Sequence, residues 1–364
     1  MMFFTPIPIL IAAVNYLADP ANLFRGDSFE KQVAGIMLEG KNALIASNGD
    51  ERLIQEYYIR GTKERKDIVV LGSSRSLVIS GSFFPGDRFF NNSVSGGTIE
   101  DYMAIYGIYS ASGYLPKAVV LAIDPWILNP NCDERRWNSV SKFYLKTLDR
   151  VNGGRCRTNK FPVPARLKIK SRIGKYLKLS QLFSVTYFQA SLQNLAGLNL
   201  TGLGERRVVP VSGTQDSDLS IRMHDGSYVY DRQYRNKDVE GVRVEAVKYI
   251  SANPVYLLGK FYSIDLNRLR LLECFVSLLK ENNIKVAILL IPYHPVVYDY
   301  FNNSKDYKVV NDVEACLRGL AGRTGSVILG SYDPEKAGAN EGDYYDGMHI
   351  KPVFLKKIGL SEYL

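Results

Sequence analysis

The chain holds three histidines, His224, His294 and His349, among 364 residues. Any mechanism that needs an imidazole base draws on one of them, and a multi-histidine metal centre is nearly excluded. Cysteine is as sparse. Cys132, Cys156, Cys274 and Cys316 are scattered and none lies in a C-x-x-C pair, which argues against a disulfide scaffold or a structural zinc site. Cys132 and Cys156 fall in one stretch and are a candidate pair in an oxidising compartment. There is no H-E-x-x-H, no G-x-x-x-x-G-K-[ST] phosphate loop and no G-x-G-x-x-G opening a helix. Glycine and proline follow no Gly-X-Y period, which excludes collagen and bulk low-complexity disorder. Beyond residue 18, no apolar run approaches the ~18 residues of a membrane helix.

With 46% hydrophobic and 23% charged residues the chain has ample material for a core. At ~150 residues per domain its length fits two domains, or one α/β domain with a large insertion. The net charge of +9 is local. Between Lys142 and Lys178 twelve basic residues face one acid, Asp149, a segment charge of +11, so the remainder is slightly acidic. This segment suits anionic lipid or an acidic glycan; a solvated helical face without a partner is the alternative. No aromatic-interleaved platform accompanies the charges, so nucleic acid is not expected.

Met1 to Ala18 carries no charged side chain. Eighteen helical residues span ~27 Å against a hydrocarbon core of ~30 Å. Residues 1–24 therefore read as an uncleaved N-terminal membrane anchor, with a core helix or a signal sequence as alternatives. Residues 25–66 read as a connecting helical segment, with a surface helix over 27–46 behind Asp27 and Ser28. From residue 67 onward short apolar runs alternate with helical patterns. The strands expected are 67–72, 88–91, 117–124, 285–291 and 326–329. The helices expected between them lie near 99–112, 263–282 and 308–322. That alternation predicts a three-layer α/β/α parallel sheet of the doubly wound, flavodoxin-like type, with ligands at the carboxyl ends of the strands. Residues 130–255 form a basic insertion after the third strand.

Three motifs fall at strand ends or in the last loop. Gly72-Ser73-Ser74-Arg75 closes the first strand, where a serine hydroxyl is exposed beside backbone N–H groups. Asn91-Asn92-Ser93-Val94-Ser95-Gly96-Gly97 closes the second, where glycine lets the backbone approach an oxyanion. Near the C-terminus, Asp346-Gly347-Met348-His349 can set a carboxylate against the imidazole Nδ1 and leave Nε2 to take a serine proton. Other candidates are bland by comparison. His294 ends the fourth strand and points toward the same crevice, Trp126 at the end of the third could stack on a sugar ring, and Arg75 could bind a carboxylate or the adjacent loop. His224 reads as a turn residue.

The order and spacing of these motifs resemble the SGNH (GDSL-like) hydrolase superfamily. Gly72-Ser73-Ser74-Arg75 stands where that superfamily has Gly-Asp-Ser-x, Asn91-x-Ser93-x-Ser95-Gly96 stands for its second block, and Asp346-x-x-His349 for its last. The resemblance covers roughly 67–130 and 280–355. It implies Ser74 as nucleophile, with Ser73 the alternative, His349 as base, Asp346 as its orienting partner, and the Ser74 amide with Gly96 as oxyanion donors. It implies no cofactor and no metal. More narrowly, an anchor followed by these motifs is similar to the membrane-anchored SGNH-like proteins of bacterial surface-polymer pathways, the alginate O-acetyltransferase group and the D-alanyl-lipoteichoic acid transfer protein among them. That likeness implies an esterase or O-acyltransferase, O-acetyl transfer being the expected case, acting on a polysaccharide. It places the enzyme outside the cytoplasmic membrane, on a single-pass anchor, with a membrane acyl-transfer partner as a further expectation.

One block departs. The superfamily's Gly-x-Asn-Asp supplies an asparagine to the oxyanion hole, whereas the third strand here ends Ala122-Ile123-Asp124-Pro125-Trp126. An ionised Asp124 would repel an oxyanion unless it is turned away, protonated or bound to a cation, and Asn129 or Asn131 are the candidates to replace the asparagine. Asp124, Trp126, Arg75 and His294 are taken as substrate-binding candidates. The departure also leaves a second reading, a non-catalytic polysaccharide-binding or assembly protein on the same fold.

Overall fold

The computed structural model describes residues 6–18, 28–45, 49–154, 160–162, 182–189, 191–192, 208–213, 217–252 and 254–364. In chain order, the first half runs α1 (Pro6–Ala18), α2 (Ser28–Leu38), β1 (Asn42–Ile45), α3 (Glu51–Gly61), β2 (Ile68–Leu71), β3 (Phe89–Asn91), α4 (Ile99–Ser112), β4 (Ala118–Ala122) and α5 (Ser141–Gly153). The strands β5 (Val208–Val211), β6 (Ser220–Arg222), β7 (Tyr228–Val229), β8 (Lys285–Leu290) and β9 (Val327–Gly330) follow. Among the later helices are Val239–Ser251, Leu266–Glu281, Pro295–Asn303 and Val309–Thr324.

Strands without polar alternation need cover on both faces, and the packing divides them residue by residue. Val69, Leu71, Val119, Leu121, Ile288 and Leu290 turn toward a core built with α4 and the helices Leu266–Glu281 and Val309–Thr324. Their neighbours Ile68, Val70, Ala118, Val120 and Leu289 turn the other way, onto Ile79, Phe84, Ile350, Phe354 and Leu355. This period-two split makes a five-stranded parallel sheet, order β3-β2-β4-β8-β9, flanked by helices. Since β3 lies on one side of β2 and β4 on the other, the chain reverses its direction of travel across the sheet between β2 and β4. Loops leaving those two strands diverge there and open a crevice.

A second sheet was not foreseen. β1 pairs antiparallel with β5 and β6, and β6 with β7, giving the order β5-β1-β6-β7. The helix expected over 27–46 therefore stops at Leu38, and Gly40, at φ 72°, turns the chain out into strand. The apolar spacing continues past that point, but its partners are strands more than 160 residues away, with Ala43 opposite Pro210 and Arg222. The segment 25–66 is thus more than a helical connection. α3, capped by Asp50 through the Arg52 amide at 2.9 Å, packs on α2 and α4. The insertion also joins the main body. Thr147 of α5 donates to the Met103 carbonyl of α4 at 2.9 Å, and Gly107 lies so close to α5 that a Cβ there would sit 2.6 Å from the Phe143 oxygen.

The spanning helix expected at the N-terminus is not found. α1 has 13 residues, ~20 Å of helix, and among the described residues no helix is long and apolar enough to cross a membrane. Its Asn15 side chain donates to the carbonyls of Leu182 at 2.9 Å and Ser184 at 3.1 Å, while Ile7, Ile9, Leu10 and Leu17 are exposed. Of the twelve basic residues of 142–178, Lys142, Lys146, Arg150 and Lys160 lie within the described chain and the rest outside it. Lys142 is bound to Glu56 at 2.8 Å. The proposed Cys132–Cys156 bridge is corrected: Cys132 is a free thiol, and Cys156 lies outside the described residues.

Candidate active site

The end of β2 leaves no room for a side chain. A Cβ on Gly72 would lie 2.1 Å from the Ser76 hydroxyl and 2.9 Å from the Ala122 methyl, and one on Gly97 would lie 2.4 Å from the Gly72 oxygen. The two strand-end loops therefore rest backbone to backbone, joined by Val94 N to Gly72 O at 3.1 Å. Ser73 is buried and caps a short turn, accepting from the Arg75 amide at 3.2 Å. Asn91 at the end of β3 staples the far side of that turn, its Nδ2 donating to the carbonyls of Ser76 and Ile79 at 2.8 Å each. Between these anchors Ser74 is the residue left facing out, so Ser74 and not Ser73 meets the cleft.

The last loop brings the other two groups. Asp346 Oδ1 accepts from the amides of Met348 and His349 at 2.8 Å each, which folds the loop over its own carboxylate. Oδ2 then lies 2.9 Å from His349 Nδ1, and His349 Nε2 lies 2.9 Å from Ser74 Oγ. Ser74 and His349 are 275 residues apart in the chain. With Nδ1 donating to the carboxylate, Nε2 carries the lone pair and accepts the serine proton. Burial alone would raise the Asp346 carboxyl. The imidazole, the Tyr234 hydroxyl and the Met348 amide together hold it well below the usual carboxylate range.

Arg75 ties the loops together. It is 1% exposed, with Nε on the Met348 carbonyl at 2.9 Å, Nη1 on Asp124 at 2.7 Å, and Nη2 on the carbonyls of Ile291 at 2.6 Å and Pro292 at 2.8 Å. Hence Arg75 and Asp124 are not substrate contacts: they form a buried ion pair behind the triad. Burial raises the Asp124 carboxyl, opposed by Arg75 and by the Ser73 hydroxyl. Of the three fates open to Asp124, the one observed is binding to a cation. Trp126 is also corrected. It is 0% exposed and donates Nε1 to the Gly97 carbonyl at 3.0 Å, supporting the second loop from beneath. His294 is fully buried, accepts from the Val296 amide at 3.3 Å as a helix cap, and is held neutral by burial. These corrections have one cause: at a strand's carboxyl end alternate residues face the crevice or the interior, and side-chain packing decides which. Asn129 and Asn131 are spent on the carbonyls of Leu257 at 3.1 Å and Lys260 at 2.7 Å, so neither stands in for the missing asparagine. Gly96 adopts φ 59° and packs against Arg136, a wall of the cleft, while its neighbour Ser95 lines the cavity. His224 sits in a turn, bound through its amide to Asn42 Oδ1 at 2.9 Å.

Several residues at the site were missed from sequence. Tyr234, from the insertion, donates its hydroxyl to Asp346 Oδ2 and lies 3.1 Å from His349 Nδ1. The Tyr230 ring stands edge-on to His349, its centroid 5.9 Å away, and its hydroxyl reaches the Ser74 carbonyl at 3.3 Å. Tyr228, Tyr230 and Tyr234 fall within seven residues, a clustering that was the available signal. Ser74 and His349 open onto a cleft of about 920 Å³ whose far wall comes from α3 and the second sheet, including Glu51, Arg52, Arg222 and Tyr228. The arrangement supplies a hydroxyl, a base able to take its proton, a carboxylate to orient that base, and room for a sizeable substrate.

A family model described as a protein of unknown function (DUF1574) matches residues 3–353. No curated protein matches the chain.

Proposed function

We infer that this chain, which belongs to the DUF1574 family, is a serine acyl-transfer enzyme of SGNH type, an esterase or O-acyltransferase working on an acylated surface glycan. The observation that carries the reading is the relay Ser74 Oγ–His349 Nε2–Asp346 Oδ2, each step 2.9 Å, opening on a cleft. The reversal of strand order between β2 and β4, beside which these groups lie, supports reading the sheet as doubly wound and flavodoxin-like, with its ligand in that crevice.

In this reading Ser74 Oγ attacks the acyl carbonyl as His349 takes its proton. The developing oxyanion is met by backbone N–H groups, the Ser74 amide and the Gly96 loop. His349 then returns the proton to the leaving sugar oxygen, and the acyl-serine passes to water or to another sugar hydroxyl. A walled cleft favours the second outcome, since water competes less there. Asp346 holds the productive tautomer and balances the imidazolium charge. O-acetyl is the acyl group proposed, on the likeness of the motifs to SGNH-like O-acetyltransferases.

We place the enzyme outside the cytoplasmic membrane, held at its surface and served by a membrane acyl-transfer partner. Support comes from the exposed apolar side of α1, the basic 142–178 segment, and Cys274, which is disulfide-bonded as suits an oxidising compartment. The rival reading, a glycan-binding protein without catalysis, draws on Asp124 standing where an asparagine donor would be. Fluorophosphonate labelling separates the two. An adduct on Ser74, abolished by Ser74→Ala and by His349→Ala, is expected; a folded wild-type protein that takes no label defeats the enzyme reading.

A further inference from the structure

Helix α3, which the superfamily resemblance does not cover, opens with Glu51 and Arg52, and both reach Ser95 in the second strand-end loop. Glu51 Oε2 accepts from the Ser95 amide, and Arg52 Nη2 donates to the Ser95 carbonyl at 2.9 Å. Arg52 is buried and forks onto Asp101, Nε at 2.9 Å and Nη2 at 3.1 Å. Asp101 also accepts from the Thr98 amide at 2.9 Å, so the clamp closes on the far end of the same loop. Gly96 and Gly97 lie between the two fixed ends.

Gly96 is buried, and a Cβ on it would strike Arg136 Nη2 and lie 2.8 Å from Tyr256 Oη. Among the described residues, the amides of Ser74 and Gly96 meet no acceptor. Open N–H groups inside a protein are uncommon, and a donor reserved for a developing oxyanion must be open before substrate arrives. The Ser95 amide, also at the cleft, is already taken by Glu51. Asp124 supplies no third donor, so the hole rests on two backbone groups whose worth depends on their being held in place beforehand. Paired glycines have more backbone freedom than any other pair, and the hold on Ser95 limits it. The other Glu51 oxygen stands 3.8 Å from Arg222 Nη1, beyond hydrogen-bond distance, so the Ser95 amide is what the Glu51 carboxylate binds.

We propose that Glu51 is a positioning residue: by accepting from the Ser95 amide it fixes the Gly96 N–H that follows as the second oxyanion donor, and so makes up in rigidity for the side-chain donor that Asp124 cannot supply. That an oxyanion forms there rests on the acyl-transfer reading; the clamp on Ser95 does not.

The test compares the full chain with its Glu51→Ala, Glu51→Gln and Glu51→Asp variants. Two readouts are taken: turnover of p-nitrophenyl acetate, and inhibition by an aryl trifluoromethyl ketone, whose adduct with Ser74 Oγ carries an oxyanion. Glu51→Ala lowers kcat about 10²-fold and weakens the ketone in proportion, while KM moves by less than about threefold. Glu51→Gln keeps an acceptor oxygen at the same reach and recovers kcat to within about fivefold of wild type. Glu51→Asp keeps the charge but draws it back by about 1.5 Å, and loses as much as Glu51→Ala. An order set by charge, with Glu51→Asp active and Glu51→Gln impaired, overturns the proposal and makes Glu51 a counter-charge to Arg222. A loss carried by KM, or one that leaves ketone inhibition unchanged, overturns it as well. If Glu51→Ala does not fold, the comparison of Glu51→Asp with Glu51→Gln decides, and equal turnover in those two overturns the proposal. Wild-type chain that takes fluorophosphonate and turns over ester, with every Glu51 variant its equal, removes this proposal alone. Wild-type chain that does neither removes it together with the acyl-transfer reading.

Discussion

Arg75→Met removes a side chain that touches every segment carrying the proposed triad. It leaves the carbonyls of Met348, Ile291 and Pro292 without that donor and Asp124 without its cation. Breaking a buried pair from one side costs ~3–5 kcal/mol. Asp124 can escape by taking a proton, which at pH 7 costs roughly 4 kcal/mol for a carboxyl of ordinary pKa and so caps that part of the loss. Unsatisfied carbonyls add ~1 kcal/mol or more unless water enters. The expected total is ~4–6 kcal/mol, against a whole-domain stability of ~5–15 kcal/mol. Urea unfolding followed by circular dichroism measures it, for Arg75→Met, Asp124→Asn and the double variant. The double variant should lose at least ~2 kcal/mol less than the sum of the singles, because a neutral amide in place of the Asp124 carboxylate needs no counter-charge. The Arg75→Met deficit should shrink as pH falls: Asp124 unpaired in the interior has a raised pKa, so its penalty is present above that value and vanishes once the group is protonated. A stability loss under ~1 kcal/mol with no coupling refutes the reasoning. So does a raised KM at unchanged stability, the signature of a substrate contact.

Asp346→Asn should lower kcat on a p-nitrophenyl ester by ~10⁴ with KM little changed, as loss of the orienting charge does in serine triads; a drop under tenfold would count against the proposed triad. Because the folded Asp346 pKa lies below its unfolded value near 4, its contribution to stability is complete above that pH and is lost as pH falls through the folded value. Acid unfolding of Asp346→Asn should accordingly show a shallower pH dependence than wild type. Tyr234→Phe removes a hydrogen bond to a charged carboxylate, ~1.5 kcal/mol, and should cut kcat about tenfold without moving KM; equal turnover would make Tyr234 a packing residue. Gly97→Ala puts a methyl 2.4 Å from the Gly72 oxygen and should cost ~1–3 kcal/mol and much of the ester turnover, read by denaturation and steady-state kinetics.

Motifs that bend back on themselves were legible in the chain. Asp346 and His349 are three residues apart, and the loop between them closes on its own amides, so their pairing needs no distant partner. Helix α4 was legible for a similar reason: Thr98 and Asp101 cap it and Gly113, at φ 79°, ends it. Residues 39–46 were not. Their apolar spacing suits a helix as well as a strand, and pairing with β5 and β6 settles the matter from far along the chain.

Arg75, Asp124, Trp126 and His294 mark where local reading stops. Each stands at a strand's carboxyl end, as a cleft residue should, yet each is buried. Whether such a side chain turns to substrate or to the interior depends on which oxygens the folded loops present, and no local pattern encodes that. Tyr234 and Arg222 show the converse, being carried to the cleft by an insertion whose one local sign is its cluster of tyrosines.

By itself, then, the chain determined its parallel strands, most of their connecting helices and the short-range chemistry of the last loop, because apolar runs, caps and an Asp-x-x-His turn act over a few residues. Tertiary structure alone decided the second sheet, the wall of the cleft and which polar groups face it. Those depend on contacts between segments one to three hundred residues apart, where burial sets the cost of leaving any charge unanswered.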